Sequence, residues 1–297
     1  MKASIGPQFL GSQFLKLFML VVLAGGVFGC SSANFPKVQT LGGLRVLGIQ
    51  ASQPEVSSSA LPAVVNLTPI LSDLGSGGRT VTISAQACLD PGVSLGATPS
   101  CAGVPGTVDL APITVNPSPV ANNSQTFGTP SLTGAVSAMA VTVPAGLLAG
   151  RNAVDQYNGV GYLVSFRVSA GADVVLAYKR IVVSNRTLPN TNPDLTGVFA
   201  NGGALTALPS AAVNLTAAVT GTTTIDYLDQ SGSLKSRGKN FTVSYFISDG
   251  EIRRSKIGPT EDNKWTPPVP APSGRPTTIV ALVYDGNGGM DFLITDL

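Results

Sequence analysis

Gly161-Tyr162-Leu163-Val164-Ser165-Phe166-Arg167-Val168-Ser169 alternates in side-chain character. Tyr162, Val164, Phe166 and Val168 share one face, while Leu163, Ser165, Arg167 and Ser169 share the other. Side chains of a strand point to opposite faces in turn, so a period of two marks a half-buried strand. Phe241-Thr242-Val243-Ser244-Tyr245-Phe246-Ile247-Ser248 reads the same way, with Phe241, Val243, Tyr245 and Ile247 inward. Further strands are predicted over 44–51, 63–71, 79–87, 137–143, 173–183, 213–219 and 277–284, with turn formers between nearly all of them. Only 11% of residues are charged, and Val, Thr, Ser, Ala, Gly and Pro abound. That composition suits strands and turns, and the predicted fold class is all-β. One helical turn is expected near Pro144-Ala145-Gly146-Leu147-Leu148-Ala149-Gly150, with Pro144 at its start.

Three short matches recur in the same order in both halves of the chain. Ala60-Leu61-Pro62 with Val65-Asn66-Leu67-Thr68 echoes Ala207-Leu208-Pro209 with Val213-Asn214-Leu215-Thr216. Thr80-Val81-Thr82-Ile83-Ser84 echoes Asn240-Phe241-Thr242-Val243-Ser244, and Leu163-Val164-Ser165-Phe166-Arg167-Val168 parallels Ile279-Val280-Ala281-Leu282-Val283-Tyr284. The expected organisation is two tandem Ig-like β-sandwich domains, 44–186 and 195–297. Residues 187–194, rich in Pro and Asn, read as a short semi-rigid linker. The first domain carries an extra Pro-, Gly- and Ser-rich stretch, about 89–136.

The N-terminus reads as an address. Lys2 and Lys16 precede the apolar run Leu17-Phe18-Met19-Leu20-Val21-Val22-Leu23-Ala24-Gly25-Gly26-Val27-Phe28. A membrane-spanning helix needs about 20 such residues, so this shorter run fits a signal-peptide core. Val27-Phe28-Gly29-Cys30 resembles the lipobox of bacterial lipoprotein precursors. That resemblance implies a signal peptide over 1–29, acylation of Cys30 and a lipidated tether over 30–43. Two or three acyl chains anchor durably, because each buried methylene contributes about 0.8 kcal/mol. Ser31 stands where the family's inner-membrane retention signal is an aspartate, so the resemblance points to the outer membrane, with the bilayer as partner. The alternative is an ordinary secretory signal with a chance cysteine.

The sequence excludes several chemistries. It has no histidine, which removes Ser-His-Asp and Cys-His catalysis, His-ligated zinc and the commonest general base. Of 18 Lys and Arg residues, Lys2 and Lys16 precede Cys30, and the rest balance 16 acidic ones. Such a surface opposes nucleic-acid binding, which rests on clustered basic residues. With Cys30 lipidated, Cys88 and Cys101 are left as a disulfide pair in an oxidising compartment, or as two free thiols. No cofactor is implied.

The chain is similar to uncharacterised surface lipoproteins with Ig-like repeats found in myxobacteria and related predatory or deltaproteobacterial lineages. The residues that carry this resemblance are Leu44-Arg45-Val46-Leu47-Gly48-Ile49 with Pro54-Glu55-Val56, Val143-Pro144-Ala145, Lys179-Arg180-Ile181-Val182-Val183-Ser184, Asn192-Pro193 with Leu195, Trp265-Thr266-Pro267, and Tyr284-Asp285-Gly286-Asn287-Gly288-Gly289. The resemblance implies a fold and an address but no activity.

Each candidate site has a plain structural alternative. Asp285, Asn287 and Asp291 could hold calcium, with Asp249 or Glu251 helping. Met290, however, occupies the position where an EF-hand loop needs glycine. The alternative is a hairpin turn, for which Asp-Gly and Asn-Gly supply positive φ. Ser236-Arg237-Gly238-Lys239 has Ser-x-x-Lys spacing, which needs a helical turn to bring amine to hydroxyl. Trp265 either stacks on a sugar or peptide or fills a core edge. Asn66 and Asn214 match glycosylation sequons but fall in predicted strands. The leading expectation is a non-catalytic structural or binding module whose surface is the stretch 89–136 or a loop cluster. A second is an adhesin or glycan-binding protein using Trp265 or Tyr157, and a third a hydrolase pairing Asp249 with Asp285.

Overall fold

Thr278-Ile279-Val280-Ala281-Leu282-Val283 is apolar on both faces of one strand, so it needs cover on both sides. The computed structural model supplies that cover; it describes residues 38–297 except 76, 93–96, 118, 123–124, 131 and 274. Residues 1–37, including the expected signal peptide and Cys30, lie outside the described residues.

The first half contains β1 (Arg45–Ala51), β2 (Glu55–Ser57), β3 (Ala63–Asp73), β4 (Val81–Leu89), β5 (Val108–Val115), β6 (Pro119–Asn122), β7 (Gln125–Pro130), β8 (Leu132–Ala135), β9 (Met139–Val143), α1 (Ala153–Asn158), β10 (Val160–Ala170) and β11 (Asp173–Ser184). The second contains β12 (Asp194–Ala200), β13 (Gly203–Ala204), β14 (Val213–Thr220), β15 (Thr224–Leu228), β16 (Leu234–Gly238), β17 (Thr242–Ile247), β18 (Glu251–Ile252), β19 (Lys256–Ile257), β20 (Asn263–Thr266), β21 (Thr278–Tyr284) and β22 (Met290–Asp296). The protein is all-β, with every predicted strand present. The expected helical turn at 144–150 is a run of turns instead. The helix follows at α1, where the Asn152 side chain accepts from the Asp155 amide as an N-cap.

Pairing repeats between the halves. In the first, β1 pairs β3, and β3 pairs β8 and β9, while the facing sheet runs β2-β11-β10-β4-β5. In the second, β12 pairs β14 and β14 pairs β20, while the facing sheet runs β19-β17-β21-β22. Thus β11-β10-β4 and β22-β21-β17 are the same ladder, and all three sequence echoes fall on equivalent strands. Even the register shifts agree, between Val46 and Gly48 in β1 and between Leu195 and Gly197 in β12.

Each half closes its own core. Leu67, Leu71, Ile83, Val141, Val164 and Phe166 belong to the first, and Leu215, Tyr245, Ile247, Trp265 and Ile279 to the second. A third apolar layer joins them: Leu41, Leu47 and Ile70 pack with Val280, Leu282 and Met290, flanked by Phe246, Phe292 and Ile294. β21 therefore sends Ile279, Ala281 and Val283 to one core and Val280 and Leu282 to the other. Gly48 makes the close approach possible, since a Cβ there would lie 2.8 Å from Met290 Sδ.

Two expected connections are packed. The supposed tether docks from Gln39 onward: Leu41 N donates to Ile247 O, and Ile247 N donates to Gln39 O. The 187–194 linker is pinned as well, through Asn190 and Asn192, which bond residues of both halves. Both sets of contacts have one cause: the third layer brings the halves together, and these segments fill its margins. The stretch 89–136 also supplies strands. β5 extends the sheet beside β4, and its Pro112 is tolerated because an edge strand can spare an N–H.

Removing Leu282 side-chain atoms empties the shared layer. Leu282→Ala should destabilise the chain by about 2–5 kcal/mol, measured by urea unfolding. A change near zero would mean that the layer contributes nothing.

Candidate ligand groove on the outer sheet face

The polar face of the opening strand pattern builds this site. Ser84 and Gln86 of β4, Ser165 and Arg167 of β10, and Leu176 and Tyr178 of β11 lie side by side, because Ser165 pairs with both Gln86 and Tyr178, and Arg167 with both Ser84 and Leu176. Disulfide-bonded Cys88 and Cys101, with Cα atoms 5.6 Å apart, fold the loop after β4 back over this face. Leu163 and Val104 pack against the bridge. Thr107 Oγ1 donates to Cys101 O at 2.9 Å and fixes the loop's return. Thr98, Pro99 and Ser100 then wall a groove of about 470 Å³ whose far side is Asp109, Leu110 and Pro112.

The floor is polar and self-organised. Gln86 Nε2 donates to Asp109 Oδ1 at 2.9 Å, which holds the amide across the β4–β5 rung. One margin is apolar and open: Val174, Leu176 and Tyr178 are 42%, 59% and 45% exposed. Solvated sheet faces commonly carry scattered apolar residues, whereas these three stand in one column beside the groove. Arg180 stacks over the Tyr178 ring at 5.2 Å and pairs with Asp90. The residues 98–112 come from the stretch expected to form a binding surface; Leu176 and Tyr178 were not anticipated. Their signal was the unbroken apolar run Val174-Val175-Leu176-Ala177-Tyr178, where an ordinary solvated strand would alternate.

A second cleft lies where the halves meet. It holds about 400 Å³ between Ile49, Tyr178, Lys179, Tyr284 and the turn at Gly286–Gly289. Lys179 Nζ donates to Gly288 O at 2.7 Å. Burial lowers this amine to about 8 against the opposing pull of Asp285, and burial pushes the Tyr284 phenol up to about 12.

The expected site residues take other roles. Asp285–Gly289 is the hairpin turn, closed by the Tyr284–Met290 pair, with positive φ at Gly286 and Gly288. The oxygens of the calcium candidates are engaged within the turn: Asp285 Oδ1 accepts from Asn287 N and Gly289 N, and Oδ2 from Asn190 Nδ2. Asp291 accepts from Leu195 N and Gln50 Nε2, and Asn287 Oδ1 from Arg237. Glu251 sits on β18 and Asp249 is taken by Arg275 at 2.6 Å. Among the described residues no three His, Cys, Asp or Glu group as metal ligands. Trp265 is fully buried, donating Nε1–H to Asp249 O at 3.3 Å, so its ring fills the core and stacks on no partner. Tyr157 is half-buried in α1.

Asp249 and Asp285 cannot act together. The β17–β21 register runs from Thr242 opposite Tyr284 to Ile247 opposite Ile279, which leaves the carboxylates beyond opposite ends of the ladder. At about 3.4 Å per residue the ladder alone keeps them at least roughly 17 Å apart. Ser236 lies on exposed β16, whereas the Lys239 side chain is buried beside Asp285, so no helical turn joins hydroxyl and amine. Asn66 and Asn214 lie within β3 and β14.

No protein-family model matches the chain, and no curated protein is similar to it. It is similar to a chimeric titin Z1Z2 carrying a decorin peptide, at 12% identity over 87% of this chain and 97% of that one, with a TM-score of 0.22. The CupB2 chaperone of Pseudomonas aeruginosa is 10% identical over 84% and 100%, with a TM-score of 0.27. The adhesin InvE of Yersinia pseudotuberculosis is 12% identical over 86% and 60%, with a TM-score of 0.19. At these scores neither topology nor role transfers; the architecture rests on the strand pairing itself.

Two outcomes follow. Replacing Cys88 and Cys101 by serine should cost about 3 kcal/mol in urea unfolding, the loop-closure value for a bridge of this span. Because the folded Lys179 amine releases its proton earlier than the unfolded one, the unfolded chain binds more protons between pH 8 and 10.5, and this residue makes stability rise across that window. Lys179→Met should flatten that rise relative to wild type in urea midpoints taken at both ends.

Proposed function

We propose that this chain is a lipid-anchored, non-catalytic binding module of a bacterial envelope, held at the outer membrane through Cys30 and presenting the outer-face groove to a partner. The groove carries the reading. It joins a self-organised polar floor, an open apolar margin at Leu176 that Tyr178 continues along the same strand beyond the groove, and a wall stapled by Cys88 and Cys101. A rigid wall supports binding because little loop entropy is lost when a ligand enters. The disulfide supports an oxidising compartment. The absence of histidine and the distance between Asp249 and Asp285 support a non-catalytic role. Among the described residues no helix is long and apolar enough to cross a membrane.

A glycan-binding adhesin is the second reading, favoured by Tyr178. An exposed ring beside polar side chains is the surface on which a sugar stacks. A glycan array run beside a panel of extended peptides separates the two. Signal on selected sugars that falls at least tenfold in Tyr178→Ala favours the adhesin; signal on peptides alone favours a protein-binding module; no binding to envelope extracts by the intact chain removes both. A fatty-acid probe supplied to cells should label the wild-type chain and leave Cys30→Ala unlabelled. Equal labelling of both would remove the anchor.

A further inference from the structure

The joint between the halves buries more polar chemistry than its packing requires. Lys239 has a side chain only 2% exposed, with Nζ 3.4 Å from Oδ2 of Asp285, which is wholly buried. The same Oδ2 accepts from Asn190 Nδ2 at 2.7 Å. Asn190 is itself buried, its Nδ2 donates also to Asn287 O at 3.1 Å, and its Oδ1 has no hydrogen-bond partner. An amine, a carboxylate and a carboxamide thus meet on one oxygen away from water, with one acceptor unmet. A structural network would satisfy that acceptor, because a buried group without a partner costs about 1–3 kcal/mol.

We propose that Lys239 and Asn190 are joined by an intramolecular amide bond formed with Asp285 as the proton carrier. The step begins with transfer of a proton from Lys239 Nζ to Asp285 Oδ2 along their 3.4 Å contact. The two ends of a carboxamide are nearly isosteric. Rotation about Cβ–Cγ of Asn190 sets the orphan Oδ1 on the carboxylic proton, which polarises Cγ. The neutral Nζ attacks Cγ, the Cγ–Nδ2 bond breaks, and Asp285 delivers the proton lost by Nζ to the departing nitrogen. Ammonia leaves, and a secondary amide remains. Atoms and charge balance without oxidant, metal or cofactor. Holding the groups together replaces a bimolecular encounter with an internal one, and exclusion of water suppresses competing hydrolysis of the amide.

The bond would tie the segment between β11 and β12 to the start of β17, bracing the joint against force along the chain. Mass spectrometry of the purified full chain after proteolysis tests it. The expected result is one branched peptide joining the segments that contain Asn190 and Lys239, lighter than their sum by one ammonia. Lys239→Arg, which keeps the charge, should return two linear peptides, and Asp285→Asn should reduce the branched species at least tenfold. Recovery of both segments from the wild-type chain as separate, unmodified peptides overturns the proposal, as does a branch at Lys179 in place of Lys239. The wild-type measurement stands whether or not either variant folds.

Discussion

The end of β3 and nearly all of β21 are buried on both faces and must be covered on both sides, and that requirement organises this molecule. Leu47 and Ile70 on one sheet meet Val280, Leu282 and Met290 on another, so β3 and β21 each serve two cores. Fully burying a Leu, Ile, Val or Met side chain contributes about 1.5–3 kcal/mol. Several such residues outweigh what one short linker could contribute to holding the halves in place. The order is therefore sheet, core, sheet, shared core, sheet, core, sheet, and Val38–Leu297 forms a single compact unit.

The shared layer fixes where the polar groups go. Bringing the halves together buries Glu55, Arg186, Asn190 and Asp285 along its margin. Arg186 Nη1 reaches Glu55 Oε2 at 2.8 Å, Ser184 Oγ donates to the same carboxylate, and Asn190 N donates to it at 2.8 Å. A buried ion pair of this kind is a weak source of net stability but severe when half-broken, at about 3–5 kcal/mol. It selects one arrangement of the joint over others. Burying one face of each inner sheet there leaves the outermost sheet of the first half free, and that is where the groove opens.

Much of this was legible in the residues. Alternation at Tyr162–Val168 and Phe241–Ile247 located the strands that carry the two cores, and the three echoes fell on equivalent strands because packing constrains both copies alike. The shared layer was not read, although Thr278–Val283 announces it: a strand without a polar side needs two partners, and periodicity says nothing of which. Pro112 hid β5, since a proline argues against any strand except an edge. Of the two readings of Cys88 and Cys101, the structure shows the disulfide. Asp285 was singled out for its acidity, yet its partners Asn190 and Lys239 come from distant segments. Such a cluster exists only after folding, and Lys239 drew notice only for its spacing from Ser236.

The central claim is that the shared apolar layer makes the two halves unfold together. Trp265, the only tryptophan, sits in the second core and reports that half alone, whereas far-ultraviolet circular dichroism reports the strands of both. Urea unfolding followed by both signals should give coincident midpoints and one slope. A dichroism curve in two steps, only one of which tracks Trp265 fluorescence, would contradict the account.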